Sequence, residues 1–401
     1  MQRLKRLWIR TIKWQYSGLC LLVLLSLALH LSIIMNPPEL VFDEYHYVND
    51  ARSILHGEGS QRGEHPPLAR LLITTGIRVF GDNPFGWRFS AVLFGTGCLV
   101  LFWFICKALN MRLGATFLAS FLFALENMTF LQASVAMLDV YNLFFMLGAF
   151  LLYLRGGYLV SGISAGLGTL CKLIGGLAVP AIGLHWFFSG RPRGWYFVVL
   201  LLSGPLFFFL LLPSFDWLLT GTLMDPIEHI RSMLSQSASL TFATVTHGAA
   251  SRPWFWVLLP EVMWYWYPPT HYIGAVSFNV WALIIPVFVY MLIRAIKKDT
   301  AALFGVSWFT GLYLLWIPLS LVTNRVSYIY YFYPAIGAIC LGLGMGLNQL
   351  LDVWRKRRKG KLAWTAIISV PAYLAIHVAV FVILSPVFSR WVSIIPIPPN
   401  P

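Results

Sequence analysis

Two adjacent acidic residues, Asp43 and Glu44, follow a long apolar run near the start of the chain, in the stretch ELVFDEYHYVND. Aspartate is a preferred residue at the N-terminal cap of a helix, so Asp43 could begin one. Glu44 would then lie in the first turn, where the helix dipole favours negative charge. A carboxylate held by helix N-terminal amides has a lowered pKa and stays ionised, as a general base must be. The pair is therefore interpreted as a helix start, as a catalytic group, or as both.

Other polar residues are predicted to lie near the same membrane boundary. Each alone is more often a snorkelling side chain, an interfacial anchor or a paired polar group than a functional one. Ionisable groups at membrane depth are costly, however, so several on one side indicate a single site. That site would be negative in part for catalysis and positive in part for an anion, and its further members are His65, Arg88, Glu126, Asn127, Asp139 and Lys172.

The composition excludes a water-soluble globular protein, because 58% of the residues are hydrophobic, 11% are charged and the mean hydropathy is +0.73. It predicts an all-α polytopic membrane protein, with one integral domain over residues 1–401. Apolar runs predict about eleven transmembrane helices. They cover residues 17–35, 89–106, 113–131, 134–154, 158–171, 174–188, 195–213, 275–293, 301–321, 328–350 and 363–385.

The charges are distributed unevenly between the two predicted sides. With the N-terminus in the cytoplasm, 19 of the 29 basic residues fall in inner loops, whereas 13 of the 15 acidic residues lie at or beyond the outer face. The basic bias follows the positive-inside rule and predicts a multi-pass cell-membrane protein. The rule does not demand the acidic bias, because acids contribute little to it, so the outer carboxylates indicate an active site on the outer side. The net charge of +14 thus indicates topology and contact with anionic membrane lipid, and no nucleic-acid partner is expected. The basic leader and first apolar run are too long for a secretory signal, so we expect them to remain as a helix.

Two outer segments, about residues 36–88 and 214–274, are long enough to carry function. In the first, HPPLARLLITTGIRVF predicts an amphipathic helix lying on the bilayer, with its polar residues on the face away from the apolar ones. Those polar residues are Arg70, Thr74 and Arg78. In the second, a helix is predicted from Pro226, ending before Gly248, and an aromatic-rich stretch follows at residues 254–267.

Five motifs occur in an order that identifies a family: FDEYHY, HPPLARLL, WRFSAVLFG, ALENMTFLQASVAMLD and GLGTLCKLIGG. Together with THGAASRPWFW and, more loosely, SYIYYFYPAIG, they resemble the dolichyl-phosphate-mannose protein mannosyltransferase family. Members of that family are GT-C glycosyltransferases. The resemblance implies a GT-C fold, a polyprenyl- or dolichyl-phosphate mannose donor, and a Ser/Thr-containing acceptor protein.

The same resemblance implies roles for individual residues. Asp43 matches the catalytic base, and Glu44 and His65 match acceptor-site positions. Arg88 and Lys172 match the basic residues that hold the lipid-linked phosphate. The supporting positions are Glu126, Asn127, Asp139, His247, Ser251 and Trp254, with Trp256 beside them.

The chain also departs from the family pattern. Eukaryotic members carry a β-trefoil MIR domain in the late outer loop, and the sixty or so residues of that loop cannot hold one. Glu126-Asn127 stands where Asp-Asn is usual, and Ala69-Arg70 where Gly-Lys is usual. We therefore expect a minimal prokaryotic-type enzyme.

The expected reaction is inverting transfer of mannose, or a similar sugar, from a polyprenyl phosphate to Ser/Thr hydroxyls of exported proteins. No cofactor is required, and a divalent metal held by Asp43, Asp139 and His247 is a further option. The alternatives are a lipid-directed enzyme of the aminoarabinose-transferase type and a transporter or flippase, although no self-similar halves are present. A glycosidase is excluded, because adjacent acids on a helix diverge by about 100° and no acid with a raised pKa is expected.

Overall fold

The structure is a computed structural model that describes residues 2–60, 62–190, 194–268, 270–357 and 361–388. It is mostly helical, as predicted. The first half comprises α1 (Gln2–Ile33), α2 (Glu44–Leu55), α3 (Leu68–Phe80), α4 (Pro84–Ala108), α5 (Leu113–Ala124), α6 (Asn127–Gln132), α7 (Asp139–Leu154), α8 (Tyr158–Cys171), a 3-10 turn (Leu173–Leu177) and α9 (Ala178–Phe188). The second half comprises α10 (Trp195–Thr220), α11 (Pro226–Ser239), α12 (Phe255–Leu258), β1 (Met263–Trp266), β2 (Tyr272–Gly274), α13 (Phe278–Trp281), α14 (Ile284–Ile296), α15 (Thr300–Phe309), α16 (Trp316–Thr323), a 3-10 turn (Ile329–Phe332), α17 (Tyr333–Arg357) and α18 (Lys361–Leu384).

Each predicted span coincides with an apolar helix. Among the residues that the structure describes, six segments are long and apolar enough to cross a membrane: Tyr16–Ile33, Pro84–Ala108, Trp195–Thr220, Thr300–Thr323, Ile329–Arg355 and Trp364–Leu384. The remaining predicted spans correspond to shorter apolar helices: Leu113–Ala124, Asp139–Leu154, Tyr158–Cys171, Leu173–Phe188 and Ile284–Ile296. The chain is therefore an integral membrane protein. The count of eleven spans and the single-domain organisation stay predictions.

The helix interruptions coincide with polar residues. The predicted span over residues 113–131 ends at Ala124 and resumes as α6, because the Glu126 carboxylate accepts the Thr129 amide at 2.8 Å and starts a new helix. The next helix begins at Asp139, five residues later than predicted. Polar side chains thus lie in breaks between apolar helices, where they can meet.

The first outer segment contains α2 and α3, so the predicted helix at residues 68–80 is confirmed. Its polar face was wrongly predicted, because Arg70 and Thr74 are buried. The Arg70 guanidinium bonds the Asp50 carboxylate at 3.2 Å and the His65 carbonyl oxygen at 2.7 Å. The helix therefore fixes the loop that carries His65.

The second outer segment is partly as predicted. Helix α11 begins at Pro226, where the Asp225 carboxylate accepts the amides of Ile227 and Glu228 at 2.8 and 3.0 Å, and it ends at Ser239, earlier than expected. The aromatic-rich stretch forms strand β1, which pairs antiparallel with β2. A strand pair was not expected in an all-α protein.

Helices α8 and α10 approach very closely at small residues. A Cβ added to Gly162 would lie 1.9 Å from the Ser203 Oγ atom, and one on Gly166 would lie 2.7 Å from the Gly204 carbonyl oxygen. Small residues four apart allow such helix–helix contact in membranes. This contact holds α8, whose C-terminal end leads directly into Lys172.

A Gly162→Ala variant should be destabilised by about 1–3 kcal/mol, because the added methyl group overpacks the contact between α8 and α10. Thermal unfolding of the purified protein in detergent measures this. Gly183→Ala is the matched control, since a Cβ there would meet the Phe197 ring at an ordinary 3.6 Å. Equal losses for both variants would contradict the close packing.

Candidate active site

The two adjacent acids have different partners. Glu44 is fully buried and forms an ion pair with Arg88, in which the Arg88 Nε and Nη2 atoms each lie 2.9 Å from one Glu44 oxygen. The three other guanidinium hydrogens are donated to backbone carbonyl oxygens: those of Ile34 (3.2 Å), Pro37 (2.8 Å) and Glu39 (2.9 Å). Since arginine has five N–H donors, every donor of Arg88 is used.

The geometry gives Glu44 and Arg88 a structural role, and the ligand-binding roles expected for them stay predictions. Arg88 is fully buried and has no donor left for a phosphate. Glu44 also accepts the backbone amides of Val41 at 2.9 Å and Ala136 at 2.7 Å, so its oxygens are occupied as well. The pair instead joins the segment before α2 to α4 and to the turn before α7.

Asp43 borders a cavity of about 170 Å³. The lining combines aromatic rings with charged and polar side chains. Those charged and polar residues are Asp43, His46, Arg62, Glu64, His65, Lys172 and Arg325, and the tyrosines are Tyr47, Tyr328, Tyr330 and Tyr331. The structure thus brings Asp43, His65 and Lys172 together as predicted, and adds two arginines that the sequence had not indicated.

Burial raises the pKa of Asp43 to about 6, while the positive charges of Lys172 and Arg62 act in the opposite direction. The expected lowering of this pKa by helix amides is wrong. Asp43 does stand at the N-cap of α2, but among the described residues its side chain makes no capping hydrogen bond. An aspartate with this pKa is a stronger base than usual and remains mostly ionised at neutral pH.

The residue before Asp43 has an unusual backbone conformation. Phe42 has φ 51°, in the left-handed region that is costly for a bulky side chain. Its ring stacks on Tyr265 with a centroid distance of 4.5 Å and meets the edge of Tyr330 at 6.1 Å. These contacts hold the turn from which Asp43 and Glu44 reach different partners.

Lys172 is positioned by Asp139. The Lys172 ammonium donates to both Asp139 carboxylate oxygens, at 2.8 and 2.9 Å, and lies over the rings of Tyr330 and Tyr331 at 5.2 and 5.0 Å. Asp139 is in the first turn of α7, and Lys172 is in extended backbone just after α8. Asp139 therefore supports the cation rather than lining the cavity.

Arg325 reaches the cavity because the late outer loop pairs with the segment that carries it. The Val326 amide donates to the Leu240 carbonyl oxygen at 3.0 Å, and the Phe242 amide to that of Asn324 at 3.1 Å. Farther along, Ser251 and Ser327 exchange two hydrogen bonds of 2.9 and 2.8 Å. The only sequence signal was a basic residue beside an aromatic run at the predicted outer face.

The late-loop residues predicted as supporting positions do not line the cavity. Ser251 holds the segment containing Arg325, as described above. His247 is exposed and meets the Tyr328 ring at 5.5 Å, while Trp254 lies 5.7 Å from the Arg252 guanidinium. Trp256 is fully buried and donates its indole N–H to the Ser251 Oγ atom at 3.0 Å, so Ser251 and Trp256 support the segment that carries Arg325.

Glu126 and Asn127 also lie away from the cavity. Glu126 accepts the Ser277 amide at 2.8 Å, and the Asn127 side chain donates to the carbonyl oxygens of Ile273 and Ala275 at 2.7 and 3.0 Å. They join α6 to the end of β2, so their contribution is to the fold.

His65 lines the cavity, and its pKa lies well below the ordinary value because of burial and the nearby charges of Lys172, Arg70 and Arg325. Its imidazole is therefore neutral and can donate or accept a hydrogen bond.

The proposed metal set is not assembled. Asp139 is paired with Lys172, and His247 is exposed on the late loop. Across the described ranges, no group of three or more His, Cys, Asp or Glu residues is arranged to hold a metal ion. The cavity carries the cations Lys172, Arg62 and Arg325, of which Arg62 is paired with Glu64 at 3.3 Å.

Comparison with known proteins links part of the chain to one family. Residues 64–217 match the family model described as dolichyl-phosphate-mannose-protein mannosyltransferase. The polyprenol-phosphate-mannose–protein mannosyltransferase of Mycobacterium tuberculosis is 31% identical over 144 residues, which are 34% of this chain and 28% of that protein. That of Corynebacterium glutamicum is 34% identical over 121 residues, which are 27% of this chain and 23% of that protein. The matched segment thus spans less than a third of these relatives.

Solved structures match over nearly the whole chain. The Saccharomyces cerevisiae protein O-mannosyltransferase Pmt1-Pmt2 complex bound to the sugar donor gives a TM-score of 0.76 at 13% identity, covering 94% of this chain and 90% of that one. ArnT from Cupriavidus metallidurans bound to undecaprenyl phosphate gives 0.62 at 14% identity, covering 94% and 77%. The archaeal oligosaccharyltransferase AglB from Archaeoglobus fulgidus gives 0.61 at 13% identity, covering 95% and 56%.

At these identities the structural matches concern the fold alone, whereas the segment match concerns ancestry. Residues 64–217 thus resemble the dolichyl-phosphate-mannose-protein mannosyltransferase family, and over nearly its whole length the chain has the GT-C fold.

Proposed function

We propose that the protein transfers mannose, or a similar single sugar, from a polyprenyl phosphate to Ser/Thr hydroxyls of exported proteins, with inversion. The observation that carries this proposal is one carboxylate with a raised pKa, Asp43, in a cavity that also holds Lys172, Arg62 and Arg325. The names of the relatives support the sugar, the carrier and the protein acceptor.

In the proposed reaction Asp43 takes the proton of the acceptor hydroxyl as its oxygen attacks the anomeric carbon. The bond between that carbon and the phosphate oxygen breaks, and the electron pair leaves with the polyprenyl phosphate. A base whose pKa lies close to the working pH is effective in such a step. His65, neutral and at the cavity wall, hydrogen-bonds a hydroxyl of the acceptor or the sugar.

The leaving phosphate carries negative charge, so it needs cations rather than a proton donor. Lys172, Arg62 and Arg325 supply this charge in a partly buried site, where fixed charges stabilise a developing anion most effectively. These cations supply the positive charge that a divalent metal would otherwise provide. We therefore propose a reaction that needs no cofactor.

The size of the cavity supports transfer of one sugar. Its volume of about 170 Å³ is small beside the roughly 300–1,000 Å³ of pockets that enclose drug-sized ligands, which favours a single sugar over an oligosaccharide.

We propose that the cavity opens to the outer face of the cell membrane and that the N-terminus is cytoplasmic. Support comes from charge: 19 of the 29 basic residues lie in the loops that this orientation places inside.

Purified protein in membranes, given polyprenyl-phosphate mannose and a Ser/Thr peptide, should label the peptide. Asp43→Asn should lower the rate on the order of 100- to 10,000-fold, because an amide cannot accept the proton. Glu58→Gln, which changes an exposed acid outside the cavity, is the control and should keep the rate. Labelling of lipid but not of peptide would instead favour the aminoarabinose-transferase type of acceptor.

The acidic limb of the pH profile of kcat/KM should have its midpoint near pH 6, with activity rising with pH. The sign follows from Asp43 acting as a base with its pKa raised to about 6, since only the ionised form accepts a proton. In Lys172→Gln the midpoint should move to higher pH, because the lost positive charge had favoured the ionised carboxylate. A midpoint near 4 in both proteins would contradict the assignment.

Two arginine variants should separate phosphate binding from support of the fold. Arg325→Gln should lower kcat on the order of 100-fold with little change in thermal stability, because it removes a charge from the cavity. Arg88→Lys should lower both, with a stability loss of about 1–3 kcal/mol, since lysine leaves buried carbonyl oxygens unpaired. If Arg88→Lys changed only the KM for the donor, Arg88 would be a phosphate ligand after all.

A further inference from the structure

A second polar cavity lies at the opposite end of the helices from Asp43. It has a volume of about 660 Å³ and is bordered by Arg112, just after α4, and by Asp352, near the end of α17. Helix α17 begins at Tyr333, beside the tyrosines of the candidate active site, and Asp352 lies about 28 Å farther along at 1.5 Å per residue. The two cavities therefore face opposite sides of the membrane.

The charges around this second cavity leave a positive excess. Asp352 is paired with Arg112 and with Arg355, and Asp299 is paired with Arg294 at 2.6 Å. Lys298 also lines the cavity and is exposed. Within the part of the chain that the structure describes, no carboxylate pairs with its ammonium group, so this charge is available to a ligand.

An apolar groove adjoins the polar cavity. It has a volume of about 690 Å³ and lies between α9, α14 and α15, with Leu184, Phe188, Leu292, Ile296, Leu303 and Val306 among its lining residues. Lys298 and Thr300 line both the groove and the polar cavity. The combined space is polar and cationic at one end and apolar along the other.

We infer that this space binds one anionic phospholipid of the membrane leaflet remote from the candidate active site. The phosphate lies at Lys298, close to Arg112, and one acyl chain lies in the groove. Charge complementarity selects the occupant: the neighbouring acids are already paired with arginines, so a negative headgroup meets cations without an opposing free carboxylate. This site goes beyond the proposed transfer reaction and does not depend on it.

The backbone places Lys298 at the junction of the two compartments. Its φ is 64°, and its amide bonds the Ala295 carbonyl oxygen at 2.8 Å, so it forms the tight turn from α14 into α15. Asparagine tolerates this left-handed conformation, which allows the charge to be removed with little change to the turn.

The test measures lipid retention by the full-length protein in native mass spectrometry, with phosphatidylglycerol and phosphatidylcholine of identical acyl chains. The unmodified chain should retain phosphatidylglycerol preferentially. Lys298→Asn should reduce that preference about fivefold, the factor expected for one basic residue next to an anionic membrane lipid. Lys297→Asn is the matched control, because Lys297 is exposed but does not line either space.

A second pair of variants tests the groove. Val306→Trp fills it and should reduce retention of both lipids, whereas Val289→Trp, at an exposed position of α14 outside the groove, should not. Inorganic phosphate at the same concentration should not displace the lipid, because it has no chain to occupy the groove. Equal losses in Lys298→Asn and Lys297→Asn, no preference for phosphatidylglycerol, or displacement by inorganic phosphate would each overturn the inference.

Discussion

The buried ion pair between Glu44 and Arg88 is the interaction on which the rest of the candidate site depends. Removing two charges from water costs several kcal/mol per ion, and it is offset only where every remaining donor and acceptor is satisfied. Here five guanidinium hydrogens and both carboxylate oxygens have partners, most of them in the backbone of residues 34–41 and at Ala136. The pair thereby fixes an irregular segment against α4, and Asp43 lies two residues after that segment.

Asp43 is governed by two opposing effects. Burial favours the neutral acid, and the neighbouring cations favour the ionised form, so that the pKa settles at about 6. In the proposed reaction Lys172 has two effects. Its positive charge keeps Asp43 ionised, and the same charge faces the leaving phosphate. Asp139 affects the site indirectly, because its carboxylate accepts two hydrogen bonds from the Lys172 ammonium and so positions it. Base, cation and supporting acid are thus one coupled unit.

Much of the helical framework could be predicted, because an apolar run long enough to cross a bilayer is recorded locally in the sequence. The candidate site was harder to predict from the sequence, because its geometry arises from contacts between segments that are distant along the chain. Arg88 looked like an anion ligand because nothing local reveals that the chain before α2 folds back to offer it carbonyl oxygens. Arg325 was missed because it reaches the cavity only through pairing of residues 240–242 with 324–326. The strands β1 and β2 were missed because an aromatic-rich stretch equally suits a membrane interface.

The late outer loop is secured at two separated places. Ser251 and Ser327 tie its first part to the segment containing Arg325, and Asn127 holds its last part at Ile273 and Ala275. Between them Leu258 and Leu259 are exposed, with 57% and 52% of their surface accessible. Extra sequence inserted at that point would project outward without displacing either anchor. The loop can therefore accept an added segment at residues 258–259 while the cavity that Asp43 borders stays as it is.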